Sequence, residues 1–236
     1  MDINLFDYYL PKKLISQKPI LPRDHCKLLI YNRQNHQIHH KKFYELGDEL
    51  DKNSVLVLNN TKVYPARLYG VKPTGGKIEI LLLGPVNNKF NLSALSNLWN
   101  ILVSRKVKNK EEIRFYYQEK CLLQGTIIKK NDTNNLMMKF NSRGLSLMKK
   151  IYQLGQMPLP PYIKNYDKTK GRYYQTAYAK KIGSCAAPTA GFHFTQKLLN
   201  QLKKKGIKIE YITLNVGLGT FKPIKVTKVE EHKMDK

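Results

Sequence analysis

The stretch from Ser184 to Thr195 has the composition of a ligand site. Most of its residues are small, the chain turns at Pro188 and Gly191, and His193 supplies a single imidazole. Small residues let a ligand approach the backbone closely, and an imidazole can exchange a proton near neutral pH. The alternative is an ordinary loop with a buried, hydrogen-bonded histidine.

A helix follows this stretch and is predicted from Thr195 to Lys205. Thr195 can cap its first amides, leucines recur at helical spacing, and Gly206 can supply the left-handed stop. Free amides and the positive end of the helix dipole favour an anionic or polar ligand at such a terminus. We therefore expect a binding position beside His193.

A second polar segment comes directly after the apolar strand predicted at Val55 to Leu58. Loops at strand ends commonly hold binding groups, so this segment contributes four further candidates. The competing interpretation is a turn that only ends the strand. The four are Asn59, Asn60, Thr61 and Arg67.

Two segments rich in proline or glycine also stand out. Three prolines between Met157 and Ile163 fix an extended rigid path, and such a segment could equally be a passive connector. A strand predicted at Ile207 to Leu214 leads to Gly217 and Gly219, which permit close backbone approach. Because no G-x-G-x-x-G pattern or following helix is present, a dinucleotide site is not expected.

The composition is that of a globular protein in a reducing compartment. The chain has 236 residues, 42% of them hydrophobic, enough for one large core or two modest ones. No apolar run reaches membrane-spanning length and the first residues do not resemble a leader, so we expect a cytoplasmic protein. Three separated cysteines and a His36, His39, His40 cluster lack ligand spacing, so no metal is predicted.

The net charge points to a polyanionic partner. Lysine and arginine total 42 against 17 acidic residues, a formal net charge of +25, which favours nucleic acid. Lysine accounts for 35 of these and arginine for 7, and drift of an AT-rich coding sequence produces the same bias. Lysine supplies diffuse charge rather than bidentate recognition. The charge therefore supports RNA binding without locating it.

The element pattern predicts a mixed α/β main domain with an inserted small antiparallel β-barrel. Residues 1–62 form the first part of the main domain, with buried strands at Leu28 to Tyr31 and Val55 to Leu58. Residues 63–143 carry five or six short strands, and 144–236 return to the main domain through a helix ending at Gly155. Lys164 to Arg172 is predicted as a charged loop. Tyrosines and lysines on the barrel strands could bind RNA, but ordinary strand surface is the favoured interpretation.

Taken in order, the motifs resemble the S-adenosylmethionine:tRNA ribosyltransferase-isomerase family of queuosine biosynthesis. Each motif is weak alone, whereas the ordered set is specific. The motifs are Asn59 to Val63, Pro65 to Leu68, Gly75 to Glu79, Met157 to Ile163, Tyr174 to Thr176, Ala186 to Phe194 and Val216 to Phe221.

The resemblance implies both the fold and a reaction. Family members move the ribosyl part of S-adenosylmethionine onto 7-aminomethyl-7-deazaguanine at the wobble position of a tRNA. Adenine and methionine leave, and the sugar rearranges to give epoxyqueuosine. The expected partners are tRNA and S-adenosylmethionine, which serves as a substrate, with no separate cofactor, metal or membrane.

The resemblance also implies a set of site residues. A base must remove a proton beside the sulfonium and a proton must reach adenine, so His193 and His232 are the predicted catalytic residues, with His193 preferred. Aromatic rings could hold the sulfonium and neutral side chains could bind adenine, sugar or base. The predicted substrate-binding residues are Asn59, Asn60, Thr61, Arg67, Tyr174, Gln175, Thr176, Pro188, Thr189, Ala190, Gly191, Phe192, Gly217, Gly219, Thr220 and Phe221.

The chain departs from the family pattern at three positions and at its end. Histidines are common in the family where Asn215 and Asp235 stand, and an acid where Arg172 stands. Family members also continue into Gly-Thr-Thr-Ser-x-Arg and Thr-Asn-Phe-His-Leu-Pro segments. The expectation is a C-terminally truncated enzyme. The alternatives are a non-catalytic basic RNA-binding remnant and an unstable fragment.

Overall fold

The computed structural model describes residues 1–86, 90, 95–129, 136–164, 167–217 and 224–232. Within these residues the main domain has three helices: α1 (Gly144–Leu154), α2 (Lys168–Tyr173) and α3 (Gln196–Lys204). The strands are β1 (Lys27–Tyr31), β2 (Ile38–Lys42), β3 (Val55–Asn59), β4 (Thr61–Val63), β5 (Arg67–Val71), β6 (Lys77–Pro85), β7 (Leu98–Val103), β8 (Glu112–Tyr117), β9 (Lys120–Lys129), β10 (Leu136–Phe140), β11 (Lys181–Ser184) and β12 (Lys208–Ile212). Short 3₁₀ turns cover Ile3–Phe6, Lys12–Leu14, Arg23–His25, Phe43–Glu49, Thr189–His193 and Val229–Glu231.

The predicted barrel is confirmed as a closed antiparallel sheet of six strands. Its order is β10-β7-β6-β5-β8-β9, and each neighbouring pair is antiparallel. Alternate residues point inward, so the strands bury Leu68, Ile80, Trp99 and Phe115 in one core. Closure leaves no free edge in this sheet.

The main domain is built from small sheets and helices, which confirms the mixed α/β class. Strands β11 and β4 pair in parallel, as do β12 and β3, while β1 and β2 form an antiparallel hairpin. The predicted third helix packs Leu198, Leu199 and Leu202 against Phe43 and Leu58. Within the described part of the chain, no helix has both the length and the apolar character that a membrane crossing requires.

Two predictions for the main domain were wrong. The strands at Leu28 to Tyr31 and Val55 to Leu58 are covered on one face only, and Val55 and Val57 are 54% and 55% exposed. Each strand lies in a two-stranded sheet whose packed layer covers a single side. The predicted loop at Lys164 to Arg172 instead contains α2.

Gly155 joins the barrel to the main domain through close backbone approach. The helix α1 ends there with a φ of −85°, so the stop is not the left-handed glycine that Gly206, with φ of +92°, provides after α3. A Cβ on Gly155 would lie 2.1 Å from the Pro65 carbonyl oxygen and 2.7 Å from that of Ile151. The next residue, Gln156, exchanges two backbone hydrogen bonds with Arg67 at the start of β5.

We predict that Gly155→Ala lowers the free energy of unfolding by about 2 kcal/mol or more, because the clash is with backbone that cannot rotate away. Urea denaturation measures the loss. Gly76→Ala is the matched control, since its nearest atom would lie 3.8 Å away. Equal stability of the two variants would contradict the packing role of Gly155.

Candidate active site

A cavity of about 730 Å³ opens between the N-terminal segment and the small-residue stretch. Four pieces of chain form its wall: residues 16–27, 159–163, 173–174 and 189–193. Three of the motifs that carry the family resemblance therefore meet here, the Pro-rich segment among them. The lining residues are Ser16, Gln17, Lys18, Pro19, Ile20, Arg23, Cys26, Lys27, Leu159, Pro160, Tyr162, Ile163, Tyr173, Tyr174, Thr189, Phe192 and His193.

His193 lies in the cavity wall at the end of the Thr189–His193 turn. Its Nδ1 is 3.0 Å from the Sγ of Cys26, and its ring packs 5.2 Å from the ring of Phe43. Burial, and then the positive charge of Arg23, hold the pKa of His193 below its ordinary value of 6.5. Burial raises the pKa of the Cys26 thiol. The pair is therefore a neutral imidazole beside a neutral thiol.

Arg23 ties the cavity wall together. Its guanidinium donates to the carbonyl oxygens of Gln175 at 2.6 Å and Tyr173 at 2.8 Å, and lies 3.4 Å from that of Phe192. It also stands over the rings of Tyr173 and Phe192 at 5.7 and 5.6 Å. Burial lowers the pKa of Arg23. An arginine remains charged even so, and its fork of donors fits several carbonyls at once.

Aromatic side chains form much of the remaining wall. Tyr174 is buried and meets the ring of Phe192 edge-on at 5.6 Å. Burial raises the pKa of the Tyr174 hydroxyl. Gly191 makes room for Tyr178, because a Cβ there would lie 2.1 Å from the Tyr178 hydroxyl. The predicted residues Thr189, Phe192, Tyr174 and His193 thus converge.

The predicted residues Asn59, Asn60 and Thr61 lie at the ends of strands, and their side chains form hydrogen bonds with other parts of the chain. Asn59 donates to the Leu214 carbonyl at 2.9 Å, and the Asn60 side chain accepts from Thr213 at 2.7 Å. Thr61 is fully buried and donates to Asn215 Oδ1 at 2.9 Å while meeting the Ser184 hydroxyl at 2.8 Å. These side chains fasten β4, β11 and the end of β12 together and are not part of the cavity lining.

Three more predicted residues are next to the cavity lining, in the chain or by contact, without being part of it. Gln175 bonds both backbone groups of Val63, at 2.6 and 3.1 Å. Arg67 pairs with Glu79 at 2.9 Å and donates to the Leu159 carbonyl at 3.3 Å. Thr176 is 5% exposed, and its hydroxyl has no hydrogen-bond partner among the described residues.

The remaining predicted residues are scattered. Pro188 and Ala190 belong to the turn that carries Thr189, and Gly217 follows Val216 with open space around it. His232 follows the Val229–Glu231 turn, whose Val229 amide donates to the Met1 carbonyl, and it is not among the residues that line the cavity. Gly219, Thr220, Phe221 and Asp235 lie outside the described residues.

The helix terminus predicted to attract an anion receives one from the chain itself. Thr195 caps α3 by accepting from the Leu198 amide at 3.1 Å, and its hydroxyl donates to Asp24 Oδ2 at 2.6 Å. Asp24 is buried, so the chain itself places a carboxylate beside this helix terminus. The anionic or polar ligand expected there stays a prediction.

The N-terminal half of the wall, which includes Arg23 and Cys26, is not among the residues predicted from the sequence. Arg23 and Cys26 carry no local motif, although the charged residues directly after Pro22 are a usable signal. Cys26 meets His193 rather than the histidine cluster, whose His36 bonds Tyr31 instead. Among the described residues, no group of three or more His, Cys, Asp or Glu could hold a metal ion.

Comparison with known sequences decides the family. The sequence pattern of the family described as "Queuosine biosynthesis protein" matches residues 3–236. The chain belongs to the queuosine biosynthesis protein family. The resemblance drawn from the ordered motifs is confirmed.

Three curated members of this family are each named S-adenosylmethionine:tRNA ribosyltransferase-isomerase. They come from Thermosipho melanesiensis (42% identical), Staphylococcus saprophyticus (42%) and a Sulfurihydrogenibium species (41%), and each match covers 99% of this chain. The chain spans 65–66% of the length of these relatives. A crystal structure of S-adenosylmethionine tRNA ribosyltransferase from Thermotoga maritima is 28% identical, over 89% of this chain and 58% of that one, with a TM-score of 0.36.

We predict that Arg23→Lys lowers the free energy of unfolding by about 1–3 kcal/mol, because an ammonium group cannot reach the separated carbonyls together. Urea denaturation measures the change. Arg33→Lys, in the exposed turn between β1 and β2, is the matched control. Equal effects of the two substitutions would show that the Arg23 contacts do not stabilise the wall.

The lowered pKa of His193 predicts a pH-dependent contribution to stability. The folded chain takes up this proton less readily than the unfolded chain, so the contribution is complete above pH 6.5 and is lost as the pH falls through the folded pKa. Unfolding free energies at about pH 7.5 and about pH 5.5 measure it. The wild type should lose more stability than His193→Gln over this range, and parallel losses would contradict the assignment.

Proposed function

We propose that this chain carries the active site of an S-adenosylmethionine:tRNA ribosyltransferase-isomerase. The enzyme transfers and isomerises the ribosyl group of S-adenosylmethionine onto 7-aminomethyl-7-deazaguanine at the tRNA wobble position, giving epoxyqueuosine, adenine and methionine. The observation that carries the proposal is the cavity, which brings His193 and Phe192 together with Tyr174 and the Pro-rich segment. The names of the relatives point to the same reaction.

His193 is the group proposed to move the proton. The reaction needs a base that accepts a proton from the ribose carbon beside the sulfonium and an acid that delivers one to departing adenine. One imidazole can do both in turn, because it ends each cycle neutral. The lowered pKa of His193 supports this role, since it leaves the imidazole neutral, with one unprotonated ring nitrogen, at neutral pH.

The other proposed partners follow from the reaction. A formal net charge of +25 suits a tRNA substrate, and a tRNA-modifying enzyme would act in the cytoplasm. S-adenosylmethionine is a substrate, and the proposal includes no further cofactor. Arg67, Gln175 and the Asn59 to Thr61 group act in it as supports of the wall, because their polar groups already bond to the chain.

The experiment is a product assay with the purified chain, S-adenosylmethionine and tRNA that carries the deazaguanine precursor. Chromatography measures released adenine, and digestion of the tRNA followed by mass spectrometry measures epoxyqueuosine. We expect both products from the wild type and a loss of about 100-fold or more in rate from His193→Ala, the usual size of a general acid–base contribution.

His232→Ala is the matched control, because it removes an imidazole that does not line the cavity. Unchanged adenine release from His193→Ala would overturn the assignment of that residue. If the folded wild type binds tRNA in a salt-sensitive manner yet releases no adenine, the non-catalytic RNA-binding alternative replaces the proposed activity.

The pH dependence of the rate gives a further prediction. If His193 acts as the base, kcat/KM should fall on the acidic side through a pKa below 6.5, because protonation removes the lone pair. A pH–rate profile of adenine release measures this limb. An acidic limb with a pKa above 6.5 would contradict the assignment of His193, whose pKa is lowered, as the base.

A further inference from the structure

The cavity wall is cationic. Lys18, Arg23 and Lys27 line it, and no aspartate or glutamate does so among the described residues. Asp24, the nearest acid in sequence, bonds Thr195 and lies outside this lining. A cavity with one sign of charge concentrates ligands of the opposite sign. Its preferred occupant therefore carries negative charge.

The cavity is also built for a flat aromatic group. Tyr162, Tyr173, Tyr174 and Phe192 contribute rings, and Leu159, Pro160 and Ile163 add an apolar surface. Tyr162 stands at the mouth and is 51% exposed. Its backbone carbonyl is held by Gln17 at 2.9 Å, which fixes the rim without using the ring. Exposed rings on a rigid rim are suited to stacking on a nucleobase.

Resting on the proposed function, we infer that this cavity takes the target nucleotide of the tRNA, flipped out of the anticodon loop, and that S-adenosylmethionine binds outside it with only its ribosyl group reaching His193. The base lies among the aromatic rings, and its phosphates meet Lys18 and Lys27 at the rim. An enzyme that modifies a base takes it out of the stack to reach its atoms. His193, in the same wall, then stands beside the aminomethyl group that accepts the ribosyl.

The charge of the two substrates separates them. S-adenosylmethionine carries a sulfonium and an ammonium group against one carboxylate, so it is a net cation, whereas each nucleotide carries an anionic phosphate. The lysines and Arg23 repel the first and attract the second. Arg23 cannot serve as a carboxylate clamp without giving up carbonyl bonds that hold the wall.

Binding measurements with two RNAs test the inference. The probes are a labelled anticodon stem–loop with 7-aminomethyl-7-deazaguanine at the wobble position and the same stem–loop abasic at that position. We expect Tyr162→Ala to weaken binding of the first roughly 5- to 100-fold, the effect of one lost base–aromatic stack, and to leave the abasic RNA nearly unchanged. Fluorescence anisotropy measures both affinities.

A double variant tests the charged rim. Lys18→Gln with Lys27→Gln should weaken the binding of both RNAs, because phosphate contacts do not depend on the base. The same variant should reduce the salt dependence of binding, because fewer phosphates are neutralised. The matched control is Lys120→Gln with Lys139→Gln, which removes the same charge from exposed barrel positions. For Tyr162→Ala, the matched control is Tyr117→Ala, which removes an exposed barrel tyrosine. Calorimetry should show unchanged affinity for S-adenosylmethionine in both cavity variants.

The opposite pattern would overturn the inference. If Tyr162→Ala weakens the binding of S-adenosylmethionine but not the binding of RNA, the sulfonium substrate lies in the cavity. Equal effects of Tyr162→Ala on the intact and abasic RNAs would show that no base stacks there. In both cases a wild type that still forms adenine and epoxyqueuosine keeps the proposed function, whereas a folded chain that binds neither substrate contradicts the function itself.

Discussion

The contacts of one half-buried cation hold the candidate site together. Arg23 comes from the N-terminal segment, and its guanidinium reaches the carbonyls of Tyr173 and Gln175 and approaches that of Phe192. These carbonyls lie on two separate stretches of the second half of the chain. A partly desolvated charge needs several acceptors, so the wall cannot open at this point without leaving the guanidinium unpaired. The geometry of His193 depends on this constraint.

Arg23 also affects the protonation state of His193. Its field and the burial of the ring both favour a neutral His193, and burial also keeps Cys26 as a thiol. A charged thiolate–imidazolium pair is therefore disfavoured. The site is better suited to proton transfer by a neutral imidazole than to nucleophilic attack by sulfur.

The barrel and the main domain are stabilised by different kinds of contact. The barrel has a closed sheet and a continuous core, whereas the main domain relies on small sheets joined by buried polar contacts. In one such contact, Val216 donates to Ser184, whose hydroxyl meets Thr61, and Thr61 donates to Asn215. Each hydroxyl is both donor and acceptor, so removal of one leaves two partners unsatisfied. The precise placement of the Ser184 to Thr195 stretch is set by such contacts.

The sequence by itself determined the barrel, the capped helix after Thr195 and the family, because strand alternation, capping and motif order are local signals. It also singled out His193, Tyr174 and Phe192. Only the tertiary structure decided that Arg23 and Cys26 face them, that Asp24 bonds the capping residue of α3, and that Asn59 to Thr61 bond within the framework. These outcomes join residues more than a hundred positions apart. No local pattern encodes such pairings, since they depend on which surfaces pack together.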